Sequence, residues 1–161
     1  MSDATRLRAE RLSAAAFEPF GFVMDAPADG RRNGPRTVIA DARPGAGVGA
    51  TLIHLITGAS PRRVTQVERH PHSQQFFLHL GGGRLPLVVM PADAAGMPDI
   101  AAARAFVAEP GQAFGYHPGT WHAGVAALAE PATVASLLSR DGTAADVTEV
   151  ALARHIEVEW T

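Results

Sequence analysis

Proline and glycine recur along this chain at intervals too short for a long helix. The 12 Pro and 16 Gly are spread through all 161 residues. Proline lacks the N–H and clashes with the preceding turn, and glycine adds backbone entropy that a helix must remove. Between these breaks lie short apolar stretches at residues 51–56, 64–70, 75–80, 85–91, 103–109, 111–117, 122–128 and 132–139. Runs of this length bounded by turn residues read as strands, and a regular series of them predicts an all-β sandwich or barrel. An antiparallel jelly roll is one such architecture with room inside for a small ligand, its interior lined by alternate residues of each strand. One short N-terminal helix is expected, with Ser13 as N-cap, Ala14 to Phe17 following and Pro19 stopping it. Two segments stay open: residues 99–106 are alanine-rich enough for a helical turn, and residues 146–152 fit a final strand or a short helix.

The length corresponds to one domain, 1–161, able to bury a core without covalent staples. The chain has no Cys, which excludes disulfides, thiol catalysis and thiolate metal sites. Any transition metal would have to be held by His, Asp, Glu or Gln, favouring Zn, Ni, Mn or Fe. The net charge is −2 and the Arg residues are scattered, so no nucleic-acid partner is expected. No apolar run is long enough to span a membrane, and the first residues lack a secretory core, so a cytoplasmic location is the expectation.

Two polar stretches carry the chemistry. In "ERHPHSQQFFLHLGGG", Glu68 and His70 stand two apart and share a face if extended. Pro71 then bends the chain, and Gln75 opens the next strand. In "GQAFGYHPGTWHAGV", Tyr116, His117 and His122 surround a Pro-Gly turn. His72 falls in the bend and is set aside as a turn residue. His54 and His79 have apolar neighbours and read as satisfied structural histidines. Arg69 should point away from Glu68 and His70, into a surface ion pair, and Trp121 reads as a core anchor.

The spacings resemble the two cupin motifs. Glu68, His70, Gln75 and Gly82 fit the first, and Gly111, His117, Gly119 and His122 the second, with His117 in the position usually held by Pro. More narrowly, "ERHPHSQQFF" with "YHPGTWHAGV" resembles the ureidoglycolate lyase family, as do Gly21 in "FEPFGFVM" and the pair Asn33-Gly34. The resemblance implies a cupin-type jelly roll and a homodimer. It implies cleavage of ureidoglycolate to glyoxylate and urea, a carbon–nitrogen lyase reaction of purine nitrogen catabolism. It also implies a divalent metal, Ni, Mn or Zn, held by His70, Gln75, His122 and Glu68. Glu68 would be a ligand or the general base, Tyr116 or His117 would give the proton to the leaving nitrogen, and Asn33 and Arg140 would bind substrate. The alternative is a cupin that binds or acts on another small ureido or hydroxy acid. Two positions depart from the family pattern. Thr57 stands where an Arg is expected, and Ser139 where an Asp is expected. An Arg is the natural bidentate partner of a carboxylate, so that role would pass to Arg36 or Arg140.

Overall fold

The computed structural model describes residues 4–34 and 39–160; Arg36 lies outside them. The described chain forms strands β1 (Thr5–Arg8), β2 (Glu10–Arg11), β3 (Gly21–Met24), β4 (Gly47–Leu55), β5 (Arg62–Arg69), β6 (Gln75–Gly82), β7 (Leu85–Met90), β8 (Arg104–Ala108), β9 (Ala113–Tyr116), β10 (Trp121–His122), β11 (Ala132–Arg140) and β12 (Thr148–Glu159). One helix, α1 (Ala14–Phe17), precedes β3. The expected N-cap is present: the Ser13 side chain accepts from the Ala16 N–H, satisfying a donor with no partner inside the helix. Phe17 at its end is buried against Phe106 at 5.3 Å, edge to face.

The strands form two sheets, in the orders β1-β12-β5-β10-β7-β8-β2 and β3-β9-β6-β11-β4. The all-β jelly-roll expectation holds. Between the sheets lies an apolar core with Leu87, Val89, Phe106, Phe77, Phe114 and Val134. Val88 and Met90 of the same β7 point the other way, into a second cluster with Val67, Trp121 and Ile156. β7 is therefore buried on both faces, which is why "LPLVVM" is continuously apolar rather than alternating. Glycine is required where β3 meets β9: a Cβ on Gly21 would lie 1.9 Å from the Gly115 carbonyl oxygen.

Some expected boundaries moved. The strand expected over 122–128 is only Trp121–His122. Beyond Ala123, whose N–H donates to the Val88 carbonyl, the chain leaves the ladder, and the Arg62 guanidinium donates to the carbonyls of Pro86 and Gly124. β4 starts four residues before the expected Thr51 because its glycines pair along β11 as far as Gly47↔Arg140. Residues 99–106 supply both readings, a 3-10 turn at Ile100–Ala102 and then β8. The open C-terminal segment is the strand β12, paired with β5. No helix among the described residues is long and apolar enough to cross a membrane.

Candidate active site

One end of the space between the sheets collects the polar side chains. β5 carries Glu68 to its end, and β10 sets His122 directly opposite, in the register His122↔Glu68 on one side and His122↔Val89 on the other. Val89 belongs to the inter-sheet core, so His122 and Glu68 face inward with it. His70 follows two residues after Glu68, and Gly119 donates to its carbonyl at 2.9 Å, closing the bend over the site. From the other sheet, Gln75 opens β6 opposite Tyr116 of β9 and Leu138 of β11.

The two imidazoles are oriented by the same device. His70 Nδ1 lies 3.0 Å from the Asp146 carbonyl oxygen, and His122 Nδ1 lies 2.9 Å from that of Thr120. A carbonyl only accepts, so each Nδ1 carries the hydrogen and donates it. Each Nε2 is then directed inward, buried and without a hydrogen-bond partner. Glu68 Oε1 stands 3.5 Å from His122 Nε2 and 3.8 Å from His70 Nε2. The three ligand atoms lie within 4.8 Å of one another. Two inward nitrogens facing a carboxylate leave a place for positive charge, supplied by a further proton on an imidazole or by a cation. The neighbouring His122 imidazole, then that of His70, holds the Glu68 carboxyl well below the usual carboxylate range against the opposing effect of burial.

Gln75 is buried, its Nε2 3.5 Å from Ser136 Oγ and its Oε1 without a partner. The Tyr116 ring stacks on His122, centroids 4.1 Å apart and planes within 18°. Its hydroxyl is buried and unpartnered. Burial pushes the Tyr116 phenol well above its usual range; the positive charge of Arg62 opposes this and the negative charge of Glu68 adds to it. The donor set suits a divalent metal: two imidazole nitrogens and a carboxylate, both nitrogens buried and lacking a hydrogen-bond partner.

A cleft of about 380 Å³ opens onto the cluster, walled by Glu68, His70, Arg140, Thr143 and Asp146. Arg140 also lines a smaller cleft of about 150 Å³ with Gly49, Thr51 and Ser136. The structure thus gathers Glu68, His70, His122 and Tyr116 at one centre, with Arg140 at its mouth and Gln75 paired with Tyr116 on the facing sheet. His117 is not part of the group: it is exposed, with Nε2 3.1 Å from the Glu18 carbonyl. Neither is Asn33, whose amide donates to the Asp25 carbonyl beside a separate cavity lined by Met24, Arg31 and Arg32. Thr57 bridges Ala127, past the Leu55↔Ala132 end of β4, whereas Arg140 and Gln75 occupy the opposite end of those ladders. Its departure from the family pattern therefore falls away from the cluster.

Arg69 points away from Glu68, as expected, but stacks over the Trp121 ring at 4.6 Å and forms no ion pair among the described residues. Trp121 is fully buried and donates to the Gly96 carbonyl, as a core anchor should. Sequence reasoning missed Thr120 and Asp146, which orient the imidazoles through backbone carbonyls. A carbonyl is common to every residue and leaves no mark in sequence. Ser136 was legible in principle, as an inward polar position in the alternation of β11.

Such a barrel, with a carboxylate and two imidazoles enclosed at one end, defines the class: a jelly-roll protein built around a small polar centre. The chain belongs to the ureidoglycolate lyase family, whose model matches residues 4–159. It is 38% identical over 140 residues to the ureidoglycolate lyase of Burkholderia cepacia, covering 80% of this chain and 76% of that one. The ureidoglycolate lyase of Rhodobacter capsulatus is 34% identical over 165 residues, 96% of this chain and 98% of its own. That of Mesorhizobium japonicum is 34% identical over 136 residues, 79% and 82% of the two chains. Family membership makes the protein a lyase acting on a small molecule.

Proposed function

We propose that this chain cleaves ureidoglycolate to glyoxylate and urea, with Glu68 as base and Tyr116 as acid. The observation that carries the reading is the convergence of Glu68, His70 and His122 within 4.8 Å, each imidazole with a buried, unpartnered Nε2. The reaction breaks the bond between the hydroxyl-bearing carbon and a urea nitrogen. Glu68, kept ionised by its two imidazole neighbours, accepts the hydroxyl proton. The freed O–H electron pair forms the glyoxylate carbonyl, and the C–N pair leaves with the urea nitrogen. Tyr116, kept protonated by burial, gives that nitrogen its proton. Solvent then returns the proton from Glu68 to Tyr116. Arg140, at the mouth of the cleft, pairs with the substrate carboxylate. His70, His122, Glu68 and Gln75 would hold a divalent metal, Ni, Mn or Zn, which when bound supplies Lewis-acid stabilisation of the developing oxygen charge.

A homodimer belongs to the same reading. β4 lies at the edge of the five-stranded sheet, and the outer face there is apolar, with Leu52 70% and Ile56 78% exposed beside Val48 and Leu80. Such a face in contact with water marks an association surface. The direct test of function is turnover. Protein stripped of metal and reloaded with Ni, Mn or Zn is mixed with ureidoglycolate, and glyoxylate release is followed. Metal-dependent release that disappears in His122→Ala supports the assignment. No glyoxylate from metal-loaded protein refutes the substrate.

A further inference from the structure

The strongest side-chain network outside the cluster is built on Arg43, in the loop that leads into β4. Its guanidinium grips Asp41 with two prongs, Nε to Oδ1 at 3.0 Å and Nη2 to Oδ2 at 2.6 Å. The same Nη2 reaches Asp146 Oδ1 at 2.8 Å, and Nη1 reaches Asp141 Oδ1 at 3.1 Å. This is not a solvated surface pair: the Arg43, Asp41 and Asp146 side chains are 16%, 2% and 9% exposed. A planar fork is the side chain suited to holding several carboxylates in fixed directions.

The network has a route to the cluster. The Asp146 carboxylate accepts from the backbone N–H groups of Asp141 and Gly142 at 3.0 and 2.9 Å, folding the turn between β11 and β12 back on itself. The backbone carbonyl of this same Asp146 is the acceptor for His70 Nδ1. Arg43 therefore fixes a turn whose Asp146 carbonyl sets the direction of a candidate ligand. Ser139, at the end of β11, adds a second tie. Its N–H donates to Ser73 Oγ in the bend after His70.

We propose that Arg43 is a positioning residue for the active centre: through Asp146 it holds His70 in the Nδ1–H tautomer with Nε2 aimed at Glu68. The inference rests on the reading of His70 as part of the centre, but its test does not depend on the substrate. Arg43→Met keeps the aliphatic stem and removes the fork, and Asp146→Asn keeps the shape and removes the charge. Long-range nitrogen–proton spectra of the imidazoles, with His70 assigned by its loss in His70→Asn, report the tautomer directly. Calorimetry with Ni or Zn reports affinity, and melting curves report the fold.

The expected result is a single Nδ1–H form of His70 in the parent and a mixture of tautomers in Arg43→Met, with metal affinity lower by about 10- to 100-fold, the usual cost of losing a group that orients a ligand. Asp146→Asn should show the same effects in weaker form, and it decides the question if Arg43→Met does not fold. An unchanged tautomer and unchanged affinity in the folded variant would overturn the proposal and leave Arg43 a clamp of the turn alone. A parent protein that fails to cleave ureidoglycolate, with the tautomer still dependent on Arg43, would sink the substrate and keep the positioning role.

Discussion

His79 and His122 are built alike and placed differently. Both are buried, both have Nδ1 on a backbone carbonyl (Glu109 at 3.0 Å for His79, Thr120 at 2.9 Å for His122), and both have a buried Nε2 without a hydrogen-bond partner. His79 faces the inter-sheet space from β6, four residues past Gln75, but belongs to no group of metal-ligating side chains among the described residues. His122 meets a carboxylate, a second imidazole and a stacked phenol. Orientation by a carbonyl is thus shared by a lone histidine and a clustered one. Convergence of charge and donors separates them. The expectation that His79 is fully satisfied was half right, since only one of its nitrogens is bonded.

The sharpest way to break this comparison is to truncate each histidine. His122→Ala should abolish metal-dependent glyoxylate release and weaken metal binding in calorimetry. His79→Ala should leave turnover near the parent value and lower stability by roughly 1–3 kcal/mol, the usual cost of emptying a buried hydrogen-bonded position. A His79→Ala protein that melts normally but has lost activity would show that the two ends of the barrel are functionally one.

Within the cluster the roles separate next. Glu68→Gln is nearly isosteric and removes the base, so kcat should fall by about 10²- to 10⁴-fold with the fold retained. Tyr116→Phe keeps the ring stacked on His122 and removes only the hydroxyl. If that hydroxyl is the acid, kcat falls within the same range of about 10²- to 10⁴-fold. A Tyr116→Phe enzyme at full rate would return the acid role to solvent or to another side chain. Arg140→Ala should act mainly on KM, raising it by about 10-fold, because removing a carboxylate contact present in ground and transition states alike weakens binding uniformly.

Much of this was legible in sequence because strands write their geometry into residue spacing. The two-residue step from Glu68 to His70 and the Pro71 bend put these two side chains on one face, and the Gly119 turn brought His122 to them. Ser13 and Pro19 bounded the one helix correctly. What stayed hidden depends on backbone atoms or on contacts between distant segments. Arg43 and Asp146 are 103 positions apart, and no local pattern links them. His117 sits beside Tyr116 in sequence, yet strand alternation sends it outward to Glu18 while Tyr116 turns in. Ser139, a departure from the family pattern, gains its reason from packing: it is buried near Asp41, where another carboxylate would crowd the three already gathered on Arg43.

The smallest effect expected is on acid stability, and it compares the Arg43 network with the rest of the surface. The hydrogen bond from Arg43 holds the Asp41 carboxyl well below its usual range against the effect of burial. Burial pushes the Asp146 carboxyl up, but hydrogen bonds from the Asp141 N–H and from Arg43 outweigh it, and the net direction is down. A carboxyl that is more acidic in the fold than in the unfolded chain stabilises the fold fully above its unfolded pKa, about 4. That stability is lost as pH falls below this value, because the unfolded chain takes up protons first. The melting temperature of the parent should therefore drop steeply below about pH 4. In Arg43→Met the Asp41 carboxyl loses the main cause of its depression and the Asp146 carboxyl one of several, so the acid limb should be shallower and the gap between the two proteins should narrow as pH falls. Parallel acid limbs would mean that Arg43 does not hold these carboxylates in solution, and the route from Arg43 through Asp146 to His70 would lose its first link.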